Sequence, residues 1–120
     1  MRRSLRLRAN ADFQRIRQQG RSAANPFLVL LQTPNAEGKS RFGFAVGKRI
    51  GGAVVRNKVK RRLREHTRLM WQSGKLRSGA DVVVIARDKA SDASYATLSH
   101  ALVDLFKRSG LLIRRKEEAQ

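Results

Sequence analysis

The sequence contains no cysteine, few acidic residues and no long apolar run. Without cysteine the chain forms no disulfide and no thiolate metal site, which excludes thiol redox chemistry and suits a reducing cytoplasm. No apolar stretch approaches the roughly 18 residues of a membrane-spanning helix, and the basic N-terminus lacks the apolar segment of about 7–15 residues that a secretory signal requires. We therefore expect a soluble, unprocessed, cytoplasmic protein.

The shortage of acidic residues leaves a large excess of positive charge. Lysine and arginine number 27 against 9 aspartates and glutamates, which gives a formal net charge of +18. A chain of this charge repels itself and binds polyanions, so nucleic acid is the first candidate partner and an anionic membrane the second. Because ribosomal proteins, DNA-compacting proteins and RNA enzymes share such a composition, the charge does not identify the nucleic acid.

The length of 120 residues and the 41% hydrophobic content suffice for one modest core, so residues 1–120 are predicted to form one domain with a frayed tail at 111–120. Hydrophobic periodicity and turn residues indicate an α+β sandwich in the order helix, strands, helix, strand, helix. The predicted helices span residues 11–19, 53–71 and 95–108, and the predicted strands span residues 27–33, 41–47 and 81–86. Residues 21–25 are expected to extend the first strand beyond a bend.

Two strand pairings are predicted. The strands at 27–33 and 41–47 are separated by turn residues and are expected to form an antiparallel hairpin. The strand at 41–47, the helix at 53–71 and the strand at 81–86 are expected to form a parallel βαβ crossover, for which a right-handed connection is the general rule.

The helix at 53–71 has two chemically distinct faces. One arc, at about 100° per residue, is mainly apolar and is predicted to face the core; its residues are Val55, Val59, Leu63, His66 and Met70. The opposite band, about 140° wide, is cationic except for one amide. It consists of Arg56, Asn57, Lys60, Arg61, Arg64 and Arg68. Since like charges four residues apart repel each other and arginine forks bind phosphate oxygens, the band indicates an RNA-binding surface rather than an ordinary solvated face.

Other nucleic-acid functions fit this region less well. A helix that enters a DNA groove is normally accompanied by a second helix, a zipper or a zinc site, none of which the sequence indicates. The preceding GKRIGG matches neither a P-loop nor a dinucleotide fingerprint, so its glycines are predicted to turn the chain from strand to helix. Lys48 and Arg49 in that turn extend the positive surface.

The residues that a protein nuclease needs are not clustered in the sequence. Such an enzyme uses grouped carboxylates that bind metal ions or a histidine-based acid–base pair. His66 and His100 fall on predicted helices and are expected to be structural. Asp81 and Asp88 lie at opposite ends of a buried strand, too far apart to share a metal, and are expected to cap turns. The sequence predicts no catalytic residue and no metal site.

Taken together, these segments resemble the protein subunit of bacterial ribonuclease P. RFGFAVGKRIGGAVVRNKVKRRLRE, residues 41–65, matches the central signature of that family almost throughout. RLRANADFQRIRQQG, residues 6–20, is similar to the family's opening helix, and DVVVIAR, residues 81–87, to its last strand. The resemblance implies an αβββαβα sandwich of the ribosomal protein S5 domain 2-like type, with a left-handed βαβ crossover in place of the right-handed one expected above.

The resemblance also implies a function within a ribonucleoprotein. The catalytic centre would belong to an RNA subunit, and the protein would help that RNA to bind precursor tRNA and Mg²⁺, which is held mainly by the RNA and the substrate. The positions where the family contacts its catalytic RNA are Arg56, Asn57, Lys60, Arg61 and Arg64. Lys48, Arg49 and Arg68 extend this surface.

The family's cleft for the single-stranded 5′ leader of precursor tRNA implies a second set of residues, namely Phe13, Arg17 and Leu31. Simple core packing is the alternative role for Phe13. Many relatives carry an aromatic residue where Arg17 and Leu31 stand, so leader binding here is expected to depend less on stacking and more on charge and apolar contact. Gly52 replaces the family's usual asparagine before the helix.

A ribosomal or RNA-chaperone protein that clamps rRNA without processing it is the alternative from a different class. It uses the same basic sandwich and differs in the RNA that it binds. A protein-only nuclease is a third hypothesis, and it requires that the RNA-free protein cleave precursor tRNA.

Overall fold

The structure is a computed structural model that describes residues 10–113. Three helices and four strands follow one another in the order αβββαβα. They are α1 (Asn10–Gln19), β1 (Arg21–Ala24), β2 (Leu28–Pro34), β3 (Arg41–Ala45), α2 (Ala53–Gln72), β4 (Ala80–Ala86) and α3 (Tyr95–Arg108), with short 3₁₀ helices at Lys48–Ile50 and Asp88–Asp92. The predicted α+β fold class is confirmed, and the predicted helix bounds differ from these by at most one residue.

β4 occupies an interior position in the four-stranded sheet, whose order is β1-β2-β4-β3. It pairs antiparallel with β2, where Leu30 lies opposite Val84, and parallel with β3, where Phe44 lies opposite the same Val84. The predicted β2–β3 hairpin is therefore wrong, because β4 lies between these strands. β4 is apolar on both faces and buried along almost its whole length, so two neighbouring strands suit it. The parallel βαβ unit of β3, α2 and β4 is confirmed, and its hand stays a prediction.

Residues 21–24 form a strand of their own instead of extending β2 beyond a bend. The chain reverses at Asn25, whose Oδ1 accepts hydrogen bonds from the backbone N–H groups of Phe27 (3.1 Å) and Leu28 (2.9 Å). Asparagine favours turns through this kind of local hydrogen bond. β1 consequently pairs antiparallel with β2 as a hairpin.

The main core lies between one face of the sheet and the helices α2 and α3. Its largest fully buried side chains are Leu28, Leu30, Val82 and Val84 from the sheet and Leu63, Leu98, Leu102, Leu105 and Phe106 from the helices. Phe42 on β3 meets Trp71 and Phe106 edge-on, with ring centroids 5.9 and 6.4 Å apart. Such edge-to-face pairs each add about 0.5–1.5 kcal/mol beyond their buried area. This packing fixes α2 against the sheet and leaves its other side accessible.

The chain remains packed beyond the end of α3. Leu111 is buried, and Leu112 forms an isolated β-bridge with Leu76. The expected fraying therefore does not extend to residues 111–113, because they pack against the loop that follows α2. The rest of the predicted tail, 114–120, lies outside the described residues, as do residues 6–9 of the segment that resembles the family's opening helix.

α1 packs on the opposite face of the sheet against a much smaller apolar cluster. Ile16 and Val83 are buried there, and Phe13, Leu31 and Ile85 are partly buried around them. Alternate residues of a strand point to opposite faces, so Val83 and Ile85 face α1 while their neighbours in β4 face the main core. With so little apolar area in contact, α1 depends on additional interactions to hold its position.

Gly20 joins α1 to β1 at a point where a side chain does not fit. An added Cβ atom would clash with the backbone carbonyl of Ile16 and lie 2.7 Å from the carbonyl oxygen of Gln32 on β2. Because backbone atoms cannot move aside cheaply, we expect Gly20→Ala to lower the free energy of unfolding by about 1–3 kcal/mol, measured by urea denaturation with circular dichroism.

Gly47→Ala is the matched control for this substitution. A Cβ atom at Gly47 meets nothing within 4 Å, and the backbone φ of −74° suits alanine. The control is expected to leave the free energy of unfolding unchanged or to raise it by up to about 1 kcal/mol, because alanine restricts the unfolded chain. Equal losses in both variants would contradict the close approach of α1 to β2.

Candidate nucleic-acid interface

The buried side of α2 is rotated relative to the prediction. Its buried residues are Val59, Leu63, Thr67 and Met70. Val55 is instead 37% exposed, so its assignment to the core stripe was wrong, whereas His66 is half-buried at the margin of the stripe. Thr67 can be buried because its hydroxyl donates to the Leu63 carbonyl (2.8 Å), which satisfies the polar group. The buried arc lies about 35° closer to the basic band than expected at 100° per residue.

This rotation brings the first residue of the basic band to the margin of the core. Arg56 is half-buried, and its Nε atom is buried with no hydrogen-bond partner among the described residues. Lys60 and Arg64 are also half-buried, whereas Asn57 and Arg61 are exposed. The structure thus places five of the predicted residues along one side of α2, from the core margin to the exposed crest.

At the C-terminal end of the basic band, the positive charge of Arg68 is compensated by side chains of α2 itself. Arg68 donates hydrogen bonds to the carboxylate of Glu65 and to Oε1 of Gln72 (3.0 Å). The hydrogen bond from Arg68 lowers the pKa of Glu65, and the same contact raises the pKa of Arg68. Arg68 therefore presents a compensated charge, in contrast to the uniformly positive row expected from the sequence.

Two cations on the other flank of α2 were missed by the helical projection. Lys58 and Arg62, one turn apart, line a groove of about 330 Å³ between α2 and residues 91–94. Asp92 lines the same groove, so its charge is mixed. If the helical projection is centred on Thr67, which is buried, both cations lie closer to the exposed side of α2. A projection drawn in this way would have included them in the predicted RNA-binding surface.

Lys48 and Arg49 are exposed in the 3₁₀ helix that connects β3 to α2. Arg49 Nη2 lies 3.1 Å from Asp88 Oδ2, an exposed ion pair that contributes little to stability. Asp88, expected to cap a turn, pairs with Arg49 through its side chain instead. Arg49 also lines a cavity of about 830 Å³ at the carboxyl ends of β3 and β4, together with Arg87 and Lys89, which the sequence prediction omitted.

The predicted leader residues lie on the α1 side of the sheet. Phe13 and Leu31 belong to the same cluster around Ile16, and each keeps part of its surface exposed. Arg17 is exposed one turn after Phe13 on α1. The structure therefore brings Phe13 and Leu31 together and places Arg17 on the same flank of the helix as Phe13.

Asp81, at the start of β4, is fully buried and accepts four hydrogen bonds. Its Oδ1 accepts from Asn35 Nδ2 (2.8 Å) and Arg41 Nε (2.8 Å), and its Oδ2 accepts from Arg41 Nη2 (2.7 Å) and Arg15 Nη2 (2.5 Å). Burial by itself raises the pKa of Asp81, but the hydrogen bonds from Arg41, Asn35 and Arg15 outweigh it and lower the pKa below its usual value. The prediction that Asp81 caps a turn is wrong, because its carboxylate joins α1, β3 and the β2–β3 connection.

The two histidines occupy different environments. His66 meets Tyr95 of α3 edge-on, with ring centroids 6.3 Å apart, whereas His100 is exposed on α3. Burial lowers the pKa of His66, and the charge of Lys75 lowers it further. Within residues 10–113 no three side chains of histidine, cysteine, aspartate or glutamate form a group that could hold a metal ion. No helix in that same range is long and apolar enough to cross a bilayer.

The lowered pKa of His66 makes the stability of the protein depend on pH. The fold favours neutral His66, whereas in the unfolded chain the group takes up a proton near the ordinary value of 6.5. The free energy of unfolding is therefore expected to fall as the pH drops below 6.5 towards the lower pKa of the folded state. His66→Gln should reduce this fall in urea unfolding experiments across that range. If His100→Gln, at an exposed position, reduced it equally, the assignment to His66 would be wrong.

Comparison with known proteins identifies the family. The family model for Ribonuclease P matches residues 1–110. The chain belongs to the ribonuclease P protein family. A relative named ribonuclease P protein component, from Symbiobacterium thermophilum, is 44% identical over 115 residues, which cover 95% of this chain and 98% of the relative. Another of that name, from Bacillus cereus, is 38% identical over 112 residues, 92% of this chain and 96% of the relative.

Solved ribonuclease P protein structures share the fold. The Staphylococcus aureus RNase P protein matches with a TM-score of 0.84 and 34% identity, over 91% of this chain and 98% of that one. The Thermotoga maritima RNase P protein matches with a TM-score of 0.77 and 37% identity, over 86% of this chain and 96% of that one. The resemblance found at residues 41–65 is thus confirmed. Membership of the ribonuclease P family makes the chain a component of a tRNA-processing endoribonuclease complex and implies an RNA subunit as partner and tRNA as substrate.

Proposed function

We propose that this chain is the protein component of a bacterial, cytoplasmic ribonuclease P holoenzyme that binds two RNAs. The basic band of α2 binds the catalytic RNA, and the cleft between α1 and the sheet binds the 5′ leader of precursor tRNA. The RNA subunit performs the magnesium-dependent hydrolysis that releases the leader, and this chain supplies no catalytic residue. The observation that carries the proposal is the continuous side of α2 formed by Arg56, Asn57, Lys60, Arg61 and Arg64.

The fold supports separate surfaces for the two RNAs. α2 packs on the face of the sheet that carries the main core, whereas α1 packs on the opposite face. An RNA bound along the outer side of α2 therefore leaves the α1 cleft accessible. The protein can hold the catalytic RNA and the leader at the same time.

The α1 cleft suits a single-stranded leader. Phe13 and Leu31 present partly exposed apolar surface against which bases can pack, and Arg17 supplies charge for a phosphate. Ile85 belongs to this cluster and also lines the 830 Å³ cavity that Arg49 borders. A path lined by Arg49, Arg87 and Lys89, with Asp88 among them, thus continues from the cleft past the carboxyl ends of β3 and β4.

The magnesium ions of the proposed reaction do not fit a site on the described part of this chain. Residues 10–113 contain no suitable group of acidic and histidine ligands, and the carboxylate of Asp81 is already occupied by two arginines and an asparagine. Phosphate and other RNA oxygens are ligands that Mg²⁺ prefers. We assign the magnesium ions mainly to the RNA subunit and the substrate.

Reconstitution with the cognate RNA subunit tests this function. The holoenzyme is expected to bind precursor tRNA more tightly than mature tRNA and to need less magnesium for cleavage than the RNA subunit alone. Both effects follow from contacts with the leader and from added positive charge close to the phosphates. Equal affinity for precursor and mature tRNA would contradict leader binding.

Purification from the host distinguishes this function from clamping of rRNA. A ribonuclease P protein is expected to bring with it one specific RNA that cleaves precursor tRNA. Copurification of whole ribosomal subunits in its place would contradict the proposal, and cleavage by RNA-free protein would contradict the absence of catalytic residues from this chain.

A further inference from the structure

The carboxylate of Asp81 connects three separate parts of the chain beneath α1. It binds Arg15 from α1, Arg41 from β3 and Asn35 from the β2–β3 connection. The Asp81 side chain is wholly buried, whereas those of Arg15 and Arg41 keep 34% and 25% of their surface exposed. The buried carboxylate of Asp81 thus holds α1 to the sheet through the partly exposed side chain of Arg15.

α1 has few other contacts that fix its rotation about its own axis. A helix of ten residues is marginal by itself, and its apolar contact with the sheet is centred on Ile16 and Val83. Gly20 restrains one end of the helix by its close approach to β2. Ile16 is fully buried and Phe13 is partly buried beside it, on one flank of the helix. So narrow an apolar contact permits rolling, and a lateral contact on the other flank is needed to set the angle.

The bond between Arg15 and Asp81 supplies that lateral contact. At about 100° per residue, Arg15 lies about 160–200° around the helix from Phe13 and Arg17. Ile16 rests on the sheet between these two flanks. Anchoring Arg15 on one flank therefore determines how far Phe13 and Arg17 on the other flank reach over the sheet.

We propose that Asp81 is a positioning residue for leader binding. Through Arg15 it fixes the rotation of α1, and thereby how far Phe13 and Arg17 reach over the sheet beside Leu31. By pairing with Arg41 as well, it withholds two guanidinium groups from non-specific contact with RNA. Both effects act on the selectivity for a leader rather than on assembly or on the chemical step, and this inference rests on the leader cleft proposed above.

Asp81→Asn tests the inference in the reconstituted holoenzyme. The amide keeps the size of the side chain but cannot compensate two arginines. The ratio of affinities for precursor over mature tRNA is expected to fall at least about fivefold, the lower limit for loss of one base contact in single-stranded binding. Assembly with the RNA subunit and kcat at saturating precursor should be unchanged. Arg15→Met removes the contact that sets the rotation of α1 and leaves Arg41 paired with Asp81. It should lower the same ratio through the loss of positioning alone.

Asp104→Asn is the matched control, since Asp104 accepts hydrogen bonds from Asn25 and Arg108 far from α1. It is expected to leave the ratio unchanged. The measurement is made where circular dichroism shows each variant folded, and Arg15→Met decides the question if Asp81→Asn does not fold. If a folded variant keeps the wild-type ratio of affinities for precursor over mature tRNA, the positioning role of Asp81 is overturned and the proposed function is not affected. A wild-type holoenzyme with no preference for the leader overturns the proposed function, and this inference with it.

Discussion

Replacing Arg61 and Arg64 together with alanine is expected to weaken assembly with the RNA subunit by roughly a hundredfold or more at physiological salt. Each charge-assisted hydrogen bond to phosphate contributes about 1.5–3 kcal/mol, and two such bonds are lost. The dependence of log affinity on log salt should flatten by about 0.7–0.9 for every phosphate contact removed. Equilibrium binding of the RNA subunit over a series of salt concentrations measures both quantities.

Lys39→Ala with Lys107→Ala is the control that removes the same net charge elsewhere. Lys39 lies in the β2–β3 connection and Lys107 at the end of α3, both away from the basic side of α2. This pair is expected to cost far less affinity and to leave the salt dependence nearly unchanged. If the two double variants behaved alike, general positive charge rather than α2 would account for RNA binding.

Replacing Phe13 with leucine is expected to weaken binding of precursor tRNA by about 5- to 150-fold, the effect of losing one base stacked on an aromatic ring. Leucine retains the apolar contact with Ile16 and Leu31, so the free energy of unfolding should change by less than about 1.5 kcal/mol. Binding of mature tRNA and assembly with the RNA subunit should be unaffected. Titration of the holoenzyme with both tRNAs measures the effect.

The leucine variant separates the two roles considered for Phe13. A residue that only packs against the sheet tolerates leucine, whereas a residue that stacks on a base does not. Wild-type affinity for precursor tRNA in Phe13→Leu would show that Phe13 is a packing residue. The leader would then depend on Arg17 and on the path beside Arg49.

The basic side of α2 could be predicted from the sequence because the spacing of residues along a helix determines the direction in which their side chains point. The projection misplaced burial at positions where contacts in the folded protein decide it. Val55 matches the apolar period, yet it lies in the first turn of α2 and remains 37% exposed. Thr67 looks polar, yet its hydroxyl is satisfied within the helix and it is fully buried.

The order of the strands in the sheet was less predictable from the sequence than the positions of the strands along the chain. β2 and β3 are adjacent in sequence, which favours a hairpin, and no local signal shows that a strand from about 35 residues later enters between them. The continuous apolar run of β4 was the available indication, because a strand buried on both faces belongs in the interior of a sheet. At the other end of the sheet, Asn25 marked the β1–β2 turn.

The surroundings of Asp81 could not be predicted from the sequence. Its partners Arg15, Asn35 and Arg41 lie 66, 46 and 40 residues away along the chain. An acidic residue at the start of a strand usually caps a turn or faces solvent, and nothing in its local sequence distinguishes it. Only the folded sheet brings these four side chains into one hydrogen-bonded group.

The interior position of β4 also determines when the protein can fold during synthesis. β2 and β3 do not pair with each other, and both use β4 as their partner. A nascent chain that ends before Ala80 can close the β1–β2 hairpin but cannot complete the sheet. Because α2 precedes β4, the basic helix leaves the ribosome before the strand that completes the sheet beneath it. Completion of the sheet does not cover the basic side of α2, since Asn57 and Arg61 are exposed in the folded chain as well. What the arrival of β4 adds is the orientation of that helix relative to the α1 face of the sheet.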